Sequence, residues 1–509
     1  MALKRVLVVG GGSAGWITAA YLDAVLNGKT AKAVDITVIE SPDIGRIGVG
    51  EATVPSVRDT MASIGVDERT FMKAADATFK QAIKFVNWLD GAGEHYYHPF
   101  DRRQKGRLDR SGLRWMTSDR STPFAHTVSA QPWLADDGRS AKPKGAQDYQ
   151  SPLSYAYHMD AEKTAGFLCD LAVGRGVKHV LDLVVDVEMA PHGDIAAVKT
   201  KSGERLEADL FIDCTGFRAL LIEGALKAGY EDYSDYLMCD RAVAMRVPYD
   251  AHWPGARKAY TTATALSSGW CWDIGLASRR GVGYVYSSRF IDDDAAEAEL
   301  RAFEGPHSDD IVARTLKFRT GRRIKPWTRN CVATGLSSGF IEPLESTGLF
   351  LVELSAATLA EYFPFGGEMQ PLADRFNAII DQRYEEILDF VVLHYCITRR
   401  TDSAFWREVS NPNRIPDRLA SWLETWKLKS PSHSDFHDSL QLFSHHTYEY
   451  VLYGMDHGRE RIANIDPARL PATPVPRDVQ GAVAQGRRVL PSHDDWLRAE
   501  LGEAYAPPA

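Results

Sequence analysis

The hydrophobic pattern of the first 40 residues predicts a βαβ unit. Residues 5–9 form a short apolar run, glycines interrupt it, and apolar positions then recur at helical spacing through residues 14–25. A second apolar run over residues 34–39 ends in Glu40. A strand, glycine turn, helix and second strand in so short a segment are typical of a parallel sheet covered by helices.

The later pattern predicts a mixed α/β protein that ends in helices. Residues 101–150 are polar and rich in arginine, lysine, serine and glycine, so we expect long loops there. A helix is expected near residues 160–175, with strands over 177–215 and 240–290. From residue 346 onward the apolar residues again recur at helical spacing.

The length of 509 residues exceeds that of a usual single domain. We therefore expect either two closely packed domains or one large composite core. The change of pattern suggests a division into a core over residues 1–345 and a mostly helical, substrate-side region over residues 346–509.

Composition excludes several classes of protein. The net charge of −9 argues against a nucleic-acid surface. No apolar run approaches the roughly 18 residues of a membrane helix, and the first run is too short for a signal peptide. The six cysteines lie far apart without a C-x-x-C pair, which favours reduced thiols over a disulfide framework or a metal site. We expect a cytoplasmic protein.

The glycines after the first strand match a dinucleotide-binding fingerprint. Gly10, Gly12 and Gly15 have the G-x-G-x-x-G spacing between a strand and a helix, where backbone N–H groups can bind a pyrophosphate. Glu40 ends the second strand, where a carboxylate can accept hydrogen bonds from a ribose. The same carboxylate would repel the 2′-phosphate of NADP.

Two later strand–glycine units favour FAD over NAD. Residues 210–216 and 331–335 are similar to units that approach ribose and flavin in the glutathione-reductase-type FAD fold, although each alone could be an ordinary turn. The expected fold class is α/β. It comprises an FAD-binding, glutathione-reductase-type Rossmann-like domain, an interleaved substrate-facing sheet and a helical C-terminal portion.

Several segments together resemble the flavin-dependent halogenases, and the tryptophan halogenase family in particular. They occur in the family's order, and they are GGGSAGW at 10–16, GVGEATVP at 48–55, TFKQAIKF at 78–85, WCWDI at 270–274, GFIEPLESTG at 339–348 and DFVVLHY at 389–395.

The resemblance implies a reaction and a set of residues for it. In the family, reduced flavin and O₂ oxidise halide to hypohalous acid, which reaches a lysine beside an aromatic substrate. The family's lysine matches Lys80, its partnering glutamate matches Glu345, and its halide site matches Thr347 and Gly348. The expected FAD-binding residues are Gly10, Gly12, Ser13, Ala14, Gly15, Glu40, Gly50, Ala52, Gly335 and Leu336.

The chemistry of these side chains is compatible with those roles. A lysine can activate hypohalous acid by a hydrogen bond or form a haloamine, and a carboxylate can stabilise a cationic intermediate and accept its proton. Without the resemblance, Lys80 and Lys84 would be interpreted as an i,i+4 pair on a solvated helix face. Glu345 would be an ordinary loop carboxylate.

The halide site has an independent physical argument. Ser346, Thr347 and Gly348 precede a helix-like run, and the free N–H groups of a helix N-terminus suit a small anion. A plain helix cap at Ser346 or Thr347 is the alternative, and both can coexist.

The tryptophan motif departs from the family pattern. The family has W-x-W-x-I-P, whereas Trp270, Trp272 and Ile274 are followed by Gly275. The resemblance implies that the two indoles keep substrate away from the flavin, and sheet packing is the alternative. Loss of the proline frees the backbone and restores an N–H, so the local shape is expected to differ from the family pattern, and complete suppression of monooxygenase chemistry is not implied.

The substrate is predicted from the segment His98-Pro99-Phe100. It is similar to the family's His-x-Phe element, in which the ring helps to hold an indole. Tyr448, Tyr450 or Tyr453 could supply a further ring. No convincing copy of the cluster that clamps free tryptophan is evident, which favours indole, a substituted indole or another electron-rich aromatic. A simple surface histidine is the alternative for His98.

Two other functions remain as alternatives. A flavin monooxygenase or oxidase would give a hydroxylated product without halide, and a non-catalytic flavin-binding protein would not need Lys80 or Glu345. No second nicotinamide-binding fingerprint is evident, so a separate reductase is expected to supply FADH₂, besides halide, O₂ and a small aromatic substrate.

Overall fold

The computed structural model describes most of the chain as two units. The described residues are 4–28, 31–45, 50–101, 103, 111–249, 257–436, 441–458 and 477–505. Gly48 and Val49 of the matched segment 48–55 lie outside them. The first unit is drawn from residues 1–77, 159–233 and 318–385, and the second from residues 78–158, 234–317 and 386–509. The linear division at residue 345 stays a prediction.

The described strands are mostly short and follow the order of the chain. They are β1 (Lys4–Val9), β2 (Val34–Glu40), β3 (Gly50–Ala52), β4 (Thr78–Lys80), β5 (Ala82–Val86), β6 (His95–Pro99), β7 (Ala156–Asp160), β8 (Lys178–Leu181), β9 (Val184–Met189), β10 (Ile195–Thr200), β11 (Arg205–Leu206), β12 (Leu210–Asp213), β13 (Tyr230–Asp232), β14 (Arg241–Pro248), β15 (Thr261–Leu266), β16 (Gly269–Gly275), β17 (Arg279–Tyr286), β18 (Ala313–Lys317), β19 (Gly321–Arg323), β20 (Trp327–Thr328), β21 (Cys331–Ala333) and β22 (Gly339–Phe340).

The described helices are numbered in the same way. They are α1 (Ser13–Leu26), α2 (Val57–Ile64), α3 (Glu68–Ala74), α4 (Ser111–Met116), α5 (Phe124–Val128), α6 (Gln131–Asp136), α7 (Ala161–Gly174), α8 (Asp293–Glu304), α9 (Gly348–Glu361), α10 (Gln370–Cys396), α11 (Ala404–Val409), α12 (Asp417–Trp426), α13 (His445–Gly454), α14 (Arg477–Val489) and α15 (His493–Leu501). Among the described helices, none has the length and apolar character that a membrane crossing requires.

The first unit contains a parallel sheet of the Rossmann-like type. Its strand order is β20-β21-β12-β1-β2-β8, and the neighbours from β21 to β8 run parallel while β20 forms an antiparallel edge. The apolar run of β1 is buried from Val6 to Val9, as expected for a central parallel strand covered on both faces. Helix α1 packs against α7 and α9. The predicted βαβ unit and fold class are confirmed.

The second unit is built on a seven-stranded sheet. Its order is β18-β14-β17-β16-β15-β5-β6, with β15 and β5 parallel and the other neighbours antiparallel. Val243, Val282 and Tyr284 form a core with Ala296 and Leu300 of α8. Beside this sheet, β4 pairs antiparallel with β7, which aligns Lys80 with Ala156.

Two local expectations from the sequence are wrong. The stretch expected to form long loops contains the helices α4, α5 and α6 in its described part, because apolar side chains such as Trp115, Phe124 and Leu134 are buried. The helix considered for Lys80 and Lys84 is also absent, since these residues lie on the strands β4 and β5. Lys80 has 0% of its surface exposed, so the solvated-face interpretation does not hold.

Candidate active site

The glycine turn between β1 and α1 has the shape of a pyrophosphate cradle. Gly10 has φ +113°, and a Cβ on it would lie 2.2 Å from the carbonyl oxygen of Cys214. A Cβ on Gly15 would lie 1.9 Å from the carbonyl oxygen of Gly10. A Cβ on Gly12, which precedes the first turn of α1, would meet no atom within 4 Å. Two glycines therefore permit close packing, and the third leaves space at a helix N-terminus.

The acidic end of β2 lies next to this turn. A Cβ on Gly11 would be 2.2 Å from Oε2 of Glu40, so the missing side chain makes room for the carboxylate. Oε1 of Glu40 is 2.9 Å from Nε2 of His179, whose Nδ1 faces the thiol of Cys169 at 3.8 Å. These contacts orient Glu40 beside the turn, as a ribose-binding carboxylate requires.

The late strand–glycine unit meets the start of α1. Thr334 donates its N–H to the carbonyl oxygen of Asp213 at 3.0 Å, which joins the ends of β21 and β12. Gly335 follows with φ +67°, and a Cβ there would lie 2.6 Å from Cβ of Ala14. The predicted residues Gly335 and Ala14 are thus in contact, and the half-buried Leu336 comes next.

The other predicted cofactor residues also lie in the first unit. Ser13 opens α1 and donates its hydroxyl to the carbonyl oxygen of Ala161 at 3.2 Å. Gly50 and Ala52 are the two ends of β3. Glu51 lies between them, and desolvation by burial raises the pKa of its carboxyl to about 7.

The predicted halide residues form the N-terminus of a helix. Helix α9 begins at Gly348, and Thr347 precedes it with no hydrogen bond from its side chain to the first turn. Within the described chain, the buried Oγ1 of Thr347 has no hydrogen-bond partner. A Cβ on Gly348 would meet no atom within 4 Å. Space, free N–H groups and a buried hydroxyl suit a small anion better than a plain side-chain cap.

The residues before this helix turn the chain sharply. Ser346 has φ 60°, a left-handed conformation that is uncommon for a residue with a side chain. Glu345 directly before it is 1% exposed, and Glu342 is also buried. The segment therefore holds carboxylates away from water immediately ahead of the helix.

Lys80 is placed against the predicted substrate-binding ring. It is the last residue of β4, and its Nζ lies 5.1 Å from the ring centre of Phe100. The N–H of Phe100 donates to the carbonyl oxygen of Gln81 at 3.0 Å, which fixes the two chain segments side by side. An ammonium over an aromatic face is a favourable cation–π arrangement.

Two buried histidines next to this strand are neutral. The N–H of Phe79 donates to Nε2 of His493 at 3.1 Å, so the ring proton of His493 is on Nδ1, which donates to the carbonyl oxygen of Arg257 at 3.0 Å. Burial lowers the pKa of His493. Burial, followed by the positive charge of Lys80, holds the pKa of His158 well below its usual range. Neither histidine adds a second cation near Lys80.

His98 belongs to a buried aromatic cluster and is not a surface histidine. It is 6% exposed on β6, and its ring centre lies 6.4 Å from that of Phe100. The rings of Phe390, Phe443 and Tyr450 are 5.6, 6.5 and 6.3 Å away. The structure thus brings together Lys80, Phe100, His98 and one of the tyrosines named from the sequence.

Sequence reasoning missed two members of this cluster. Phe390 and Phe443 stack with ring centres 3.9 Å apart. Phe390 lies in the matched segment 389–395, and this match is the signal that identifies it, whereas nothing in the pattern around Phe443 distinguishes it from a core residue.

The two tryptophans of the segment 270–274 share one face of β16, the central strand of the seven-stranded sheet. Trp270 and Trp272 are two positions apart on β16, so their side chains lie on the same face; they are 1% and 7% exposed, with ring centres 6.4 Å apart. Gly275 ends the strand, and its carbonyl oxygen accepts a hydrogen bond from the hydroxyl of Thr78 at 2.5 Å. A Cβ on Gly275 would lie 3.0 Å from the hydroxyl oxygen of Tyr249, a tight contact that this hydroxyl would have to relieve by a small shift if a proline stood here.

The predicted residues are divided between the units. The second unit holds Lys80, His98, Phe100, Trp270 and Trp272, and the first holds Glu345, Thr347, Gly348 and the cofactor-binding residues.

The fold and the site residues together define the class of protein: an α/β oxidoreductase with a glycine turn for a dinucleotide and a buried lysine.

Comparison with known proteins identifies the family within this class. The family model for tryptophan halogenase matches residues 5–467. The chain is 36% identical to the tryptophan 6-halogenase SttH of Streptomyces toxytricini, covering 88% of this chain and 89% of that protein. It is 34% identical to the tryptophan 7-halogenase RebH of Lentzea aerocolonigenes, and the match covers 98% of this chain and 99% of that protein.

Similarity in structure is equally extensive. A tryptophan halogenase from Shewanella frigidimarina matches with a TM-score of 0.90 and 34% identity, covering 100% of this chain and 99% of that one. The chain therefore belongs to the tryptophan halogenase family, and it is a flavin-dependent halogenase.

Proposed function

We propose that this enzyme uses FADH₂, O₂ and chloride or bromide to halogenate an electron-rich aromatic compound, indole or an indole derivative. The observation that carries the proposal is the fully buried Lys80, whose Nζ lies 5.1 Å from the ring centre of Phe100. Lysine side chains are almost always exposed, so complete burial of Lys80 beside an aromatic ring supports a role in the reaction over a role in solubility.

The cofactor would bind along the edge formed by β1, β2 and the start of α1. Gly12 leaves room for the pyrophosphate, Glu40 would accept hydrogen bonds from the ribose, and Gly335 lies against Ala14. Bound FADH₂ would supply, with O₂, the oxidation of halide to hypohalous acid.

Lys80 would deliver the halogen. If its ammonium hydrogen-bonds hypohalous acid, the aromatic carbon attacks the halogen and the oxygen–halogen bond breaks. The departing hydroxide then takes a proton from the ammonium and leaves as water. In the alternative step, a neutral amine first exchanges a proton for the halogen to give a haloamine and water, and the haloamine transfers the halogen.

Glu345 and the N-terminus of α9 would have separate roles. The Glu345 carboxylate would stabilise the cationic ring after halogen addition and accept the proton released from carbon, so hypohalous acid and arene give haloarene and water. Thr347 and Gly348 would bind halide at the helix N-terminus. Trp270 and Trp272 would keep the organic substrate from the flavin, which suppresses hydroxylation.

The test is mass spectrometry of indole and tryptophan after incubation with the protein, FAD, a flavin reductase, NADH, O₂ and either NaCl or NaBr. We expect a halogen isotope pattern that Lys80→Ala reduces at least about 100-fold while FAD binding persists. Lys84→Ala is the matched control, because this neighbouring lysine pairs with Asp136 at 3.6 Å instead of being fully buried.

Other outcomes separate the alternatives. Unchanged halogenation by Lys80→Ala would remove this lysine from the mechanism, and a halide-independent gain of oxygen would favour a monooxygenase. Glu345→Gln should slow product formation about 100-fold, and near-normal turnover would refute its role.

A further inference from the structure

The second unit contains a cavity of about 470 Å³, a volume in the usual range for sites that bind small molecules. Residues of β6 and α13 border it, together with α4, α5 and the loop between these two helices. Lys80, His98 and Phe100 are not among the described residues that border it. The cavity is therefore separate from the residues proposed to transfer the halogen and to hold its acceptor.

Three aromatic rings that lie against one another border this cavity. The ring centre of Phe124 is 5.7 Å from that of Trp115 and 4.8 Å from that of Tyr453, and the rings of Trp115 and Tyr453 are 6.0 Å apart. The indole N–H of Trp115 donates to the carbonyl oxygen of Thr122 at 2.7 Å, which orients this ring. Rings arranged in this way suit a flat aromatic ligand, because ring faces and edges attract one another.

The charged groups at the cavity balance one another. Nη1 of Arg120 lies 2.7 Å from Oδ1 of Asp456, and Nη2 of Arg399 lies 3.2 Å from Oδ2 of the same carboxylate. A second carboxylate, that of Asp119, also borders the cavity. Two guanidinium groups and two carboxylates leave no net charge to attract an ionic ligand, which would lose hydration on entering.

The imidazole of His95 adds a polar but uncharged group to the same cavity. Desolvation, followed by the positive charge of Lys84, lowers the pKa of His95, so its ring is neutral at pH 7. A neutral imidazole has one nitrogen that donates and one that accepts a hydrogen bond. The cavity thus combines aromatic rings with a neutral hydrogen-bonding group.

We propose that this cavity is a second binding site of the enzyme, which takes a neutral molecule with one or two fused aromatic rings. Trp115, Phe124 and Tyr453 contact the ligand ring, and binding removes apolar surface from water. The site does not rest on the proposed function, because none of the residues that border the cavity has a role in that function.

The test is ¹⁹F NMR of 5-fluoroindole with the FAD-loaded enzyme, without a reductant so that no turnover occurs. We expect two bound resonances. Trp115→Ala should weaken one of them at least about tenfold, since a ring that contacts the ligand is lost. Phe100→Ala should weaken only the other. Trp133→Ala is the matched control, because this indole N–H also donates to a carbonyl oxygen, that of His126 at 2.8 Å, but Trp133 does not border the cavity.

A second variant keeps every ring in place. Ala125 borders the cavity, and the longer side chain in Ala125→Met would occupy part of it, so the resonance that Trp115→Ala weakens should weaken here too. Circular dichroism checks that each variant is folded. The anion 5-fluoroindole-3-acetate should bind this site at least about tenfold more weakly than 5-fluoroindole, and equal binding would contradict a site for neutral ligands.

The outcomes separate this site from the proposed active site. A single resonance that only Phe100→Ala weakens, or one that Phe100→Ala and Trp115→Ala both weaken, would overturn the proposal. So would two resonances that folded Trp115→Ala and Ala125→Met leave unchanged. A single resonance that Trp115→Ala weakens and Phe100→Ala does not would support the cavity site, and it would count against Phe100 as a substrate-binding residue.

Discussion

At the scale of single residues, burial changes what an ionisable group can do. The pKa of Glu353 on α9 is raised to about 8, because burial disfavours its charged form although Ser56 and Thr60 hydrogen-bond to it. Lys80 is also without exposed surface. The histidine His158 beside it is neutral, because burial and the charge of Lys80 lower its pKa. Burial thus favours the neutral form of Glu353, and it also favours the neutral form of His158 beside Lys80.

Glu353 gives a prediction about the pH dependence of stability. The folded protein keeps this proton up to about pH 8, whereas the unfolded chain loses it near pH 4.3, so the contribution of Glu353 to stability should fall as pH rises between these values. Glu353→Gln removes this dependence. Relative to wild type, the variant should gain up to about 1.4 kcal/mol per pH unit across pH 5 to 8, measured by thermal unfolding.

The control for this experiment lies on the same helix. Glu361 is exposed at the end of α9, and Glu361→Gln should show the pH dependence of wild type. If both variants follow the wild-type curve, Glu353 is not the source of the pH dependence.

At the scale of elements, the turn between β1 and α1 separates two kinds of glycine. Gly10 and Gly15 are required by contacts within the protein, since an added Cβ would overlap backbone oxygens. Gly12 faces open space. Gly10 and Gly15 are therefore needed for the turn to fold, whereas we expect Gly12 to be needed for binding the cofactor.

This distinction predicts different consequences for two alanine substitutions. Gly15→Ala should lower the melting temperature of the apoprotein, because its Cβ would lie 1.9 Å from the carbonyl oxygen of Gly10. Gly12→Ala should leave melting nearly unchanged but weaken FAD binding about tenfold or more, since the methyl group would fill the space for the pyrophosphate. Thermal melting and flavin-fluorescence titration measure the two effects, and equal behaviour of both variants would contradict the assignment.

The N-terminus of α9 gives a second prediction at this scale. Thr347→Val removes a buried hydroxyl that lacks a hydrogen-bond partner among the described residues, so the fold should lose no stability. The KM for bromide or chloride should rise several-fold if that hydroxyl binds halide. Ser355→Ala on the same helix, whose hydroxyl donates to the carbonyl oxygen of Leu351, should leave the halide KM unchanged. An unchanged KM in Thr347→Val would exclude that residue as a halide ligand.

At the scale of the whole molecule, each of the two units is assembled from three separated chain segments. The glycine turn, Glu40 and Gly335 belong to the first unit, which brings together positions more than 300 residues apart in sequence. The chain carries one dinucleotide fingerprint, at Gly10, and the sequence offers no second one for a nicotinamide cofactor.

We therefore predict that the protein cannot reduce its own flavin. With FAD and NADH but no reductase, indole and bromide should give no product above background, whereas photochemically reduced FAD should restore product in air. Product from NADH and FAD alone, with the protein shown to be free of reductase, would contradict this prediction.

The sequence alone determined the local features of this protein. Strand and helix periodicity located the βαβ unit and the start of α9, and the glycine spacing marked the turn, because steric limits on φ and the repeat of apolar positions act over a few residues. Motif resemblance added Lys80 and Glu345, whose residue types alone would have indicated solvated charges.

Only the tertiary structure decided what surrounds those residues. It placed Lys80 on a strand without exposed surface, folded part of residues 101–150 into helices, and joined Arg103 to Glu449. The physical reason is that burial and pairing depend on side chains contributed by distant segments. The free energy of a charge is set by its neighbours in space, and local sequence does not contain them.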